Sequence, residues 1–317
     1  MNKSILIQYL PLAHPKAALR FVKKLGNNGV KAIIDLEDSV QDPFCHETTR
    51  KLKKNARIQF LDLISDQKFD EKVFKEPIFL RINSADTDYY VHDLETILKI
   101  CGTKFPLKGI FLPKVENFSQ IKELHDLIND NGFKLEIVPM IETAKGMNNL
   151  ENILESDKDM MLFKYVHYGH FDYALDSGLW PFPDPDHQKF WDIVLKLSAL
   201  VIQYNKIYIH TPFPFMDDRN LFWQASHFIE SHFPNQELWI CTLNSELSLS
   251  EDTEYKKLNI VNTDFTIEQS IKEAELIKND FLNGRANKRS FSVGSNRFIP
   301  PHQYFAAINY LDKHSKN

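Results

Sequence analysis

The sequence predicts a (β/α)8, or TIM, barrel followed by a C-terminal extension. Three observations carry this reading. Eight short apolar runs punctuate the chain, and most are near-continuously apolar, as strands covered on both faces are. Segments with apolar residues at helical spacing separate them. No Gly-rich phosphate loop follows the first run, which removes the main reason to choose an open doubly wound sheet. A chain of 317 residues with 43% hydrophobic content suits one such barrel and supplies a large core.

The first run covers 4–10, and Ala18, Phe21, Val22 and Leu25 behind it share one helical face that ends at Gly26. The second run, 30–36, ends in the acids Asp35, Glu37 and Asp38. The third, 78–82, is followed by Leu94, Ile97, Leu98 and Cys101 at helical spacing. The fourth, 109–112, leads to Ile121, Leu124 and Ile128, with Gly132 as the stop. The fifth and sixth are 135–141 and 163–168, and Phe190, Ile193, Val194, Leu197 and Val201 follow the sixth. The seventh and eighth are 207–211 and 237–243. The break comes after Asn283-Gly284, so residues 1–284 read as the barrel domain. Residues 285–317 are polar, then Pro-rich, then a short helix, a segment expected to pack on the barrel or on a neighbouring subunit.

A net charge of −5 gives no reason to expect a nucleic-acid partner. The run Lys51-Leu52-Lys53-Lys54 reads as a solvated helix face. Three scattered cysteines, Cys45, Cys101 and Cys241, form neither a disulfide framework nor a zinc pattern, and fit a cytoplasmic protein. The early apolar run is short and broken by Gln8 and Pro11, which argues against a signal peptide. No stretch approaches a membrane span.

In a barrel the chemistry sits at the C-terminal ends of the strands. There the sequence places Asp35, Glu37 and Asp38; Arg81 and Asn83; Lys114 and Glu116; Glu142 and Thr143; His170 and Asp172; His210 and Thr211; and Thr242 and Asn244. Loops begin at strand ends, so a single polar residue there, such as Asn244 or His210, has an ordinary structural explanation. His167 lies inside a run and reads as a hydrogen-bonded barrel histidine. A cluster of carboxylates with few cations, however, is what a hard divalent ion wants. Within DLED, side-chain alternation sets Asp35 and Glu37 on the inward side and Leu36 outward. Asp38 belongs to the loop, as a proton-handling acid or as a cap on the next turn.

The motifs DLEDSV (35–40), LRIN followed by DT (80–87), GIFLPKVE (109–116), MIETAKGMNN (140–149) and YGHFDYALDSG (168–178) come in one order over about residues 30 to 180. This order resembles the HpcH/HpaI aldolase/citrate lyase family, in its citrate lyase beta-subunit-like (CoA ester lyase) branch. The resemblance implies that Glu142 and Asp172 bind Mg²⁺. It implies that Arg81 binds substrate and stabilises an enolate oxygen, and that Glu37 and Asp38 lie near the metal's waters. Asn83 and Lys114 at the same rim complete the expected substrate contacts. Asp38 stands where the aldolase branch carries a histidine base, which sides the chain with the lyase-like branch.

Three departures qualify the resemblance. QYLPLAHPK replaces a basic PG segment used in CoA binding, and ELWICTLNSELS occupies the place of a GKxxIHPxQ segment. Ile299 stands about where related lyases carry an aspartate that reaches a neighbouring subunit's site. The expected function is a Mg²⁺-dependent carbon–carbon lyase or aldolase acting on a small oxo- or hydroxy-acid, or its CoA ester, as a cytoplasmic homo-oligomer. The alternative is a metal-binding but catalytically reduced barrel that serves as an interaction or regulatory subunit. A glycosidase would use two carboxylates such as Glu116 and Glu142, but the motif order does not favour it.

Overall fold

The computed structural model describes residues 4–66, 74–244, 246–247, 257–284, 292–294 and 297–314. The eight predicted runs are the eight strands. They are β1 (Ile5–Pro11), β2 (Lys31–Asp35), β3 (Ile78–Arg81), β4 (Leu107–Leu112), β5 (Glu136–Ile141), β6 (Tyr165–Tyr168), β7 (Ile207–Ile209) and β8 (Leu238–Thr242). Each pairs in parallel with its sequence neighbours, and β1 pairs with β8 to close the barrel.

Helices cover the outside: α1 (Pro15–Gly26), α2 (His46–Asp66), α3 (Tyr89–Cys101), α4 (Phe118–Asp130), α5 (Ala144–Asn148), α6 (Leu150–Ser156), α7 (His170–Asp176), α8 (Gln188–Gln203) and α9 (Arg219–His232). Alternation along each strand separates two cores. Ile33, Phe79, Phe111, Met140, Ile209 and Trp239 fill the barrel interior, whereas Ile34, Leu36, Leu80, Ile110 and Ile141 pack outward under the helices. The same alternation fixes the rim. Asp35 and Arg81 are the next inward positions after Ile33 and Phe79, and they face each other across the β2–β3 register.

The C-terminal part continues with α10 (Ile267–Gly284), the antiparallel pair β9 (Ser292–Gly294) and β10 (Arg297–Ile299), and α11 (Pro301–His314). Ile299 is fully buried in an apolar cluster with Ala274, Ile277, Phe281 and Tyr304, which explains why a carboxylate does not stand there. Arg297 anchors the strap through Asp184 (2.9 Å) and Glu273 (3.1 Å), and the Phe298 N–H donates to the Pro214 carbonyl at 2.7 Å. Pro301 opens α11 where a missing N–H costs nothing. No helix among the described residues is long and apolar enough to cross a membrane.

One expectation fails. Lys53 is not on a solvated face: it is 2% exposed. Its ammonium donates to the carbonyls of Leu36 (3.0 Å) and Glu37 (2.5 Å). The long stem lets α2 bury apolar methylenes while the charge tethers the end of β2.

Candidate metal and substrate site

Arg81 organises one half of the rim. Its Nε and one terminal nitrogen donate to the two oxygens of Asp35, each at 2.7 Å, in a bidentate fork. Those oxygens also accept from the backbone N–H groups of Glu37 and Ser39, each at 2.9 Å. Asp35, not Asp38, is therefore the residue that holds the turn after β2. Burial alone would raise its pKa, but Arg81 and the two N–H groups outweigh that and hold the carboxyl low.

The remaining Arg81 nitrogen is shared by Glu37 (3.2 Å) and Asp38 (3.1 Å), while the guanidinium lies 4.8 Å from the centre of the Tyr9 ring. One cation cannot keep three acids ionised in a desolvated place. Burial, then the Asp38 charge, push Glu37 well above the usual carboxylate range.

Glu142 and Asp172 form the other half. Glu142 is 1% exposed at the end of β5. One of its oxygens accepts from the Lys114 backbone N–H at 3.0 Å. Lys114 makes that contact from a left-handed backbone, φ 51°, which a non-glycine residue adopts at a cost. The other oxygen lies against Gly169, where a Cβ would fall on the carboxylate. Gly169→Ala is therefore expected to displace Glu142 and to cost about 1–3 kcal/mol as overpacking, read as a lowered denaturant midpoint. Burial, then Asp172, push Glu142 up to about 8.

Asp172, in the first turn of α7, meets the Lys114 ammonium at 3.5 Å and the His302 Nε2 at 3.2 Å. Burial opposes ionisation there, but His302 and Lys114 hold its carboxyl well below the usual range. His302 comes from the second position of α11 and also lies 4.0 Å from Asp38.

Asp35, Asp38, Arg81, Glu142, Asp172 and His302 line a cavity of about 130 Å³ at the barrel mouth, with Tyr9, Met140, Phe171, Met216, Leu243 and Phe298 among its other walls. Glu142 and Asp172 also line an adjoining, larger cavity of about 340 Å³ with Lys114 and Glu116. The structure thus brings Arg81, Glu37, Asp38, Lys114, Glu142 and Asp172 together. It does not bring Asn83. That side chain is spent on Asp93 (2.6 Å) and the Leu36 carbonyl (3.4 Å), which ties α3 to the rim. Glu116 pairs with Lys145 at 2.8 Å on the outer cavity.

His167 is a hydrogen-bonded barrel residue. Nδ1 lies 3.1 Å from the Ile209 carbonyl, so it carries the proton, and Nε2 accepts from the Tyr9 hydroxyl at 3.1 Å. Burial pushes it down to about 3.

A family model described as HpcH/HpaI aldolase/citrate lyase matches residues 7–196. That is more than half of the 317 residues. The chain belongs to the HpcH/HpaI aldolase/citrate lyase family.

Among curated proteins, a citrate lyase subunit beta-like protein of Deinococcus radiodurans is 24% identical over 177 residues. That match covers 56% of this chain and 51% of the relative, so the chain spans about half of the relative's length. Among solved structures, RipC from Yersinia pestis has a TM-score of 0.56 at 20% identity, covering 79% of this chain and 97% of that one. CitE from Mycobacterium tuberculosis, in complex with magnesium, acetoacetate and coenzyme A, has a TM-score of 0.55 at 16% identity, covering 99% of both chains.

The family match contains every residue that the resemblance assigned to the site, but it ends before β7, β8 and the C-terminal segment. His302 lies beyond it. Sequence reasoning looked for an acid at Ile299 and missed the histidine three positions on. The available signal was Pro-Pro-His, a polar ring at the start of a Pro-opened helix in a segment expected to reach a site.

Proposed function

We propose that the chain is a Mg²⁺-dependent carbon–carbon lyase acting on a small oxo- or hydroxy-acid, or on its CoA ester. The observation that carries this reading is the donor set: two carboxylates, the buried Glu142 and the half-buried Asp172, at one cavity with Arg81 alongside. The donors fit a hard cation. They are oxygen ligands, and Glu142 is so poorly compensated that its proton stays on to about 8. Gly169 leaves space for that carboxylate where any side chain would intrude. A bound Mg²⁺ would act there as a Lewis acid that polarises a substrate carbonyl.

The chain's own residues do the rest. Arg81 presents a fixed positive charge to an enolate oxygen, and Asp35 holds the guanidinium in place from behind. The Lys114 backbone N–H orients Glu142, and the Lys114 ammonium places a second positive charge beside Asp172. Asp38 stands in the loop between Arg81 and His302, in position to take or return a proton. The apolar walls exclude water from the reacting carbonyl. A cavity of about 150 Å³ holds one benzene, roughly six heavy atoms. The inner cavity, about 130 Å³, therefore suits an acid of pyruvate size, or the acyl end of a thioester whose remainder lies outside.

Product release from oxaloacetate, short 4-hydroxy-2-oxo acids and malyl-type thioesters tests this reading. Turnover that stops with a chelator and returns with Mg²⁺ supports it. Binding of Mg²⁺ without turnover of any of them favours the reduced, non-catalytic barrel.

A proton and the metal compete for Glu142. Below about 8 the carboxyl of the metal-free protein holds its proton, so Mg²⁺ must displace it. Apparent Mg²⁺ affinity, measured by calorimetry between pH 6 and 9, is expected to rise with pH and level off above about 8. A flat profile would show that Glu142 is not a ligand.

A further inference from the structure

We propose that Tyr9 reads a hydroxyl group on the substrate, so that the site selects a hydroxy acid over the matching acid without the hydroxyl. The inference deepens the reading above and rests on it.

Tyr9 and His167 form the floor of the inner cavity. Tyr9 points inward from β1 and pairs with Ile33, one inward step below the level of Asp35. His167 is fully buried on β6. Both line the cavity, and their 3.1 Å hydrogen bond crosses the interior between strands that are not neighbours. Phe111 meets Tyr9 edge-on at 6.4 Å and His167 at 5.4 Å, and the Arg81 guanidinium covers the Tyr9 ring at 4.8 Å.

Each proton in this pair has one place. The Ile209 carbonyl can only accept, so the Nδ1 of His167 carries the imidazole proton. Burial keeps the ring neutral, pushing it down to about 3, so Nε2 is a bare acceptor. The Tyr9 hydroxyl therefore donates to Nε2, and what its oxygen can offer a ligand is lone pairs alone.

The acids at the mouth are committed elsewhere. Asp35 takes Arg81 and two backbone N–H groups, Asp38 takes Arg81 and Gln41, and Glu142 and Asp172 are the ion's donors. The Tyr9 oxygen is left to meet an uncharged donor. An amine would be repelled by Arg81, whereas a hydroxyl is not. A carbonyl or a methyl group brings no proton and leaves a buried acceptor unpaired, which is how a site rejects an analogue that lacks the group it binds. Tyr9 holds the hydroxyl and does not take its proton, because a proton passed through it would come to rest on His167, which burial keeps neutral.

Calorimetry with the full chain and Mg²⁺ tests this with pyruvate and 3-hydroxypyruvate. The two share a 2-oxo acid group and differ by one hydroxyl, and neither has a bond that retro-aldol cleavage breaks. The wild type is expected to bind 3-hydroxypyruvate at least about tenfold tighter. Tyr9→Phe keeps the ring under Arg81 and should bring the ratio close to one by weakening 3-hydroxypyruvate, with pyruvate nearly unchanged. His167→Leu frees the Tyr9 proton to turn and donate to a carbonyl, so it should lower the ratio by tightening pyruvate as well. Thermal unfolding checks that each variant is folded. Equal affinities in the wild type, or a preference that survives Tyr9→Phe, overturns the proposal and leaves the parent reading standing, since pyruvate still binds with Mg²⁺. If the wild type binds neither acid, both fall, and titration with Mg²⁺ alone shows whether the ion site survives.

Discussion

Calorimetry of Glu142→Gln and of Asp172→Asn is expected to show Mg²⁺ affinity reduced by at least about 100-fold in each, with turnover lost in parallel. Both substitutions keep the side chain's shape and remove its charge, so packing at the end of β5 and the start of α7 should survive. The effect should be large because the site depends on few anionic oxygens. Asp38 cannot replace either, since one of its oxygens is taken up by Arg81 and the other accepts from Gln41 at 3.1 Å. Stability should move the other way for Glu142→Gln. Between the ordinary carboxylate value and about 8 the folded protein must take up a proton to bury this acid, a cost that a neutral amide does not carry. Wild-type Mg²⁺ affinity in both variants would remove these residues from the ligand set.

Arg81→Ala is expected to lower stability by about 3–5 kcal/mol and to abolish turnover, because it strands buried charges. The fork to Asp35 and the shared contact with Glu37 and Asp38 mean that one guanidinium serves fold and site together. Arg81→Lys separates the two roles. It keeps the charge, so most of the stability loss should be recovered. It loses the planar fork, so one of the two Asp35 bonds goes and the cation moves relative to the cavity. Denaturant unfolding of Arg81→Lys should fall between wild type and Arg81→Ala, with turnover near that of Arg81→Ala. Full activity in Arg81→Lys would show that the arginine is a structural ion-pair partner alone.

The barrel was legible because a strand covered on both faces leaves an uninterrupted apolar run, and eight such runs with helical spacing between them fit few folds. Within the site, Asp35 pointed inward and Leu36 outward as alternation requires. What alternation does not carry is which partner each inward group finds. Asp35 was legible as an acid but not as the holder of both Arg81 and the next turn, since those depend on the β2–β3 register. Asn83 looked like a rim residue, yet Asp93, ten positions on in α3, takes its amide. Lys53 looked solvated because a charge run hides which member faces inward; the carbonyls of Leu36 and Glu37 select it. His302 depends on how a C-terminal strap docks across the barrel mouth, and no local spacing encodes that.

Enolate formation beside a divalent ion is the central step of the proposed chemistry. Proton NMR of pyruvate in D₂O with the full chain tests this directly, because an enolate at the site must exchange the methyl protons for deuterium. With Mg²⁺ or Mn²⁺ present, the methyl signal is expected to decay well above the rate without protein, and the decay should vanish with a chelator or with Glu142→Gln. Metal bound with an affinity that Glu142→Gln abolishes, yet with methyl exchange no faster than in buffer for pyruvate and for short homologues, would contradict it.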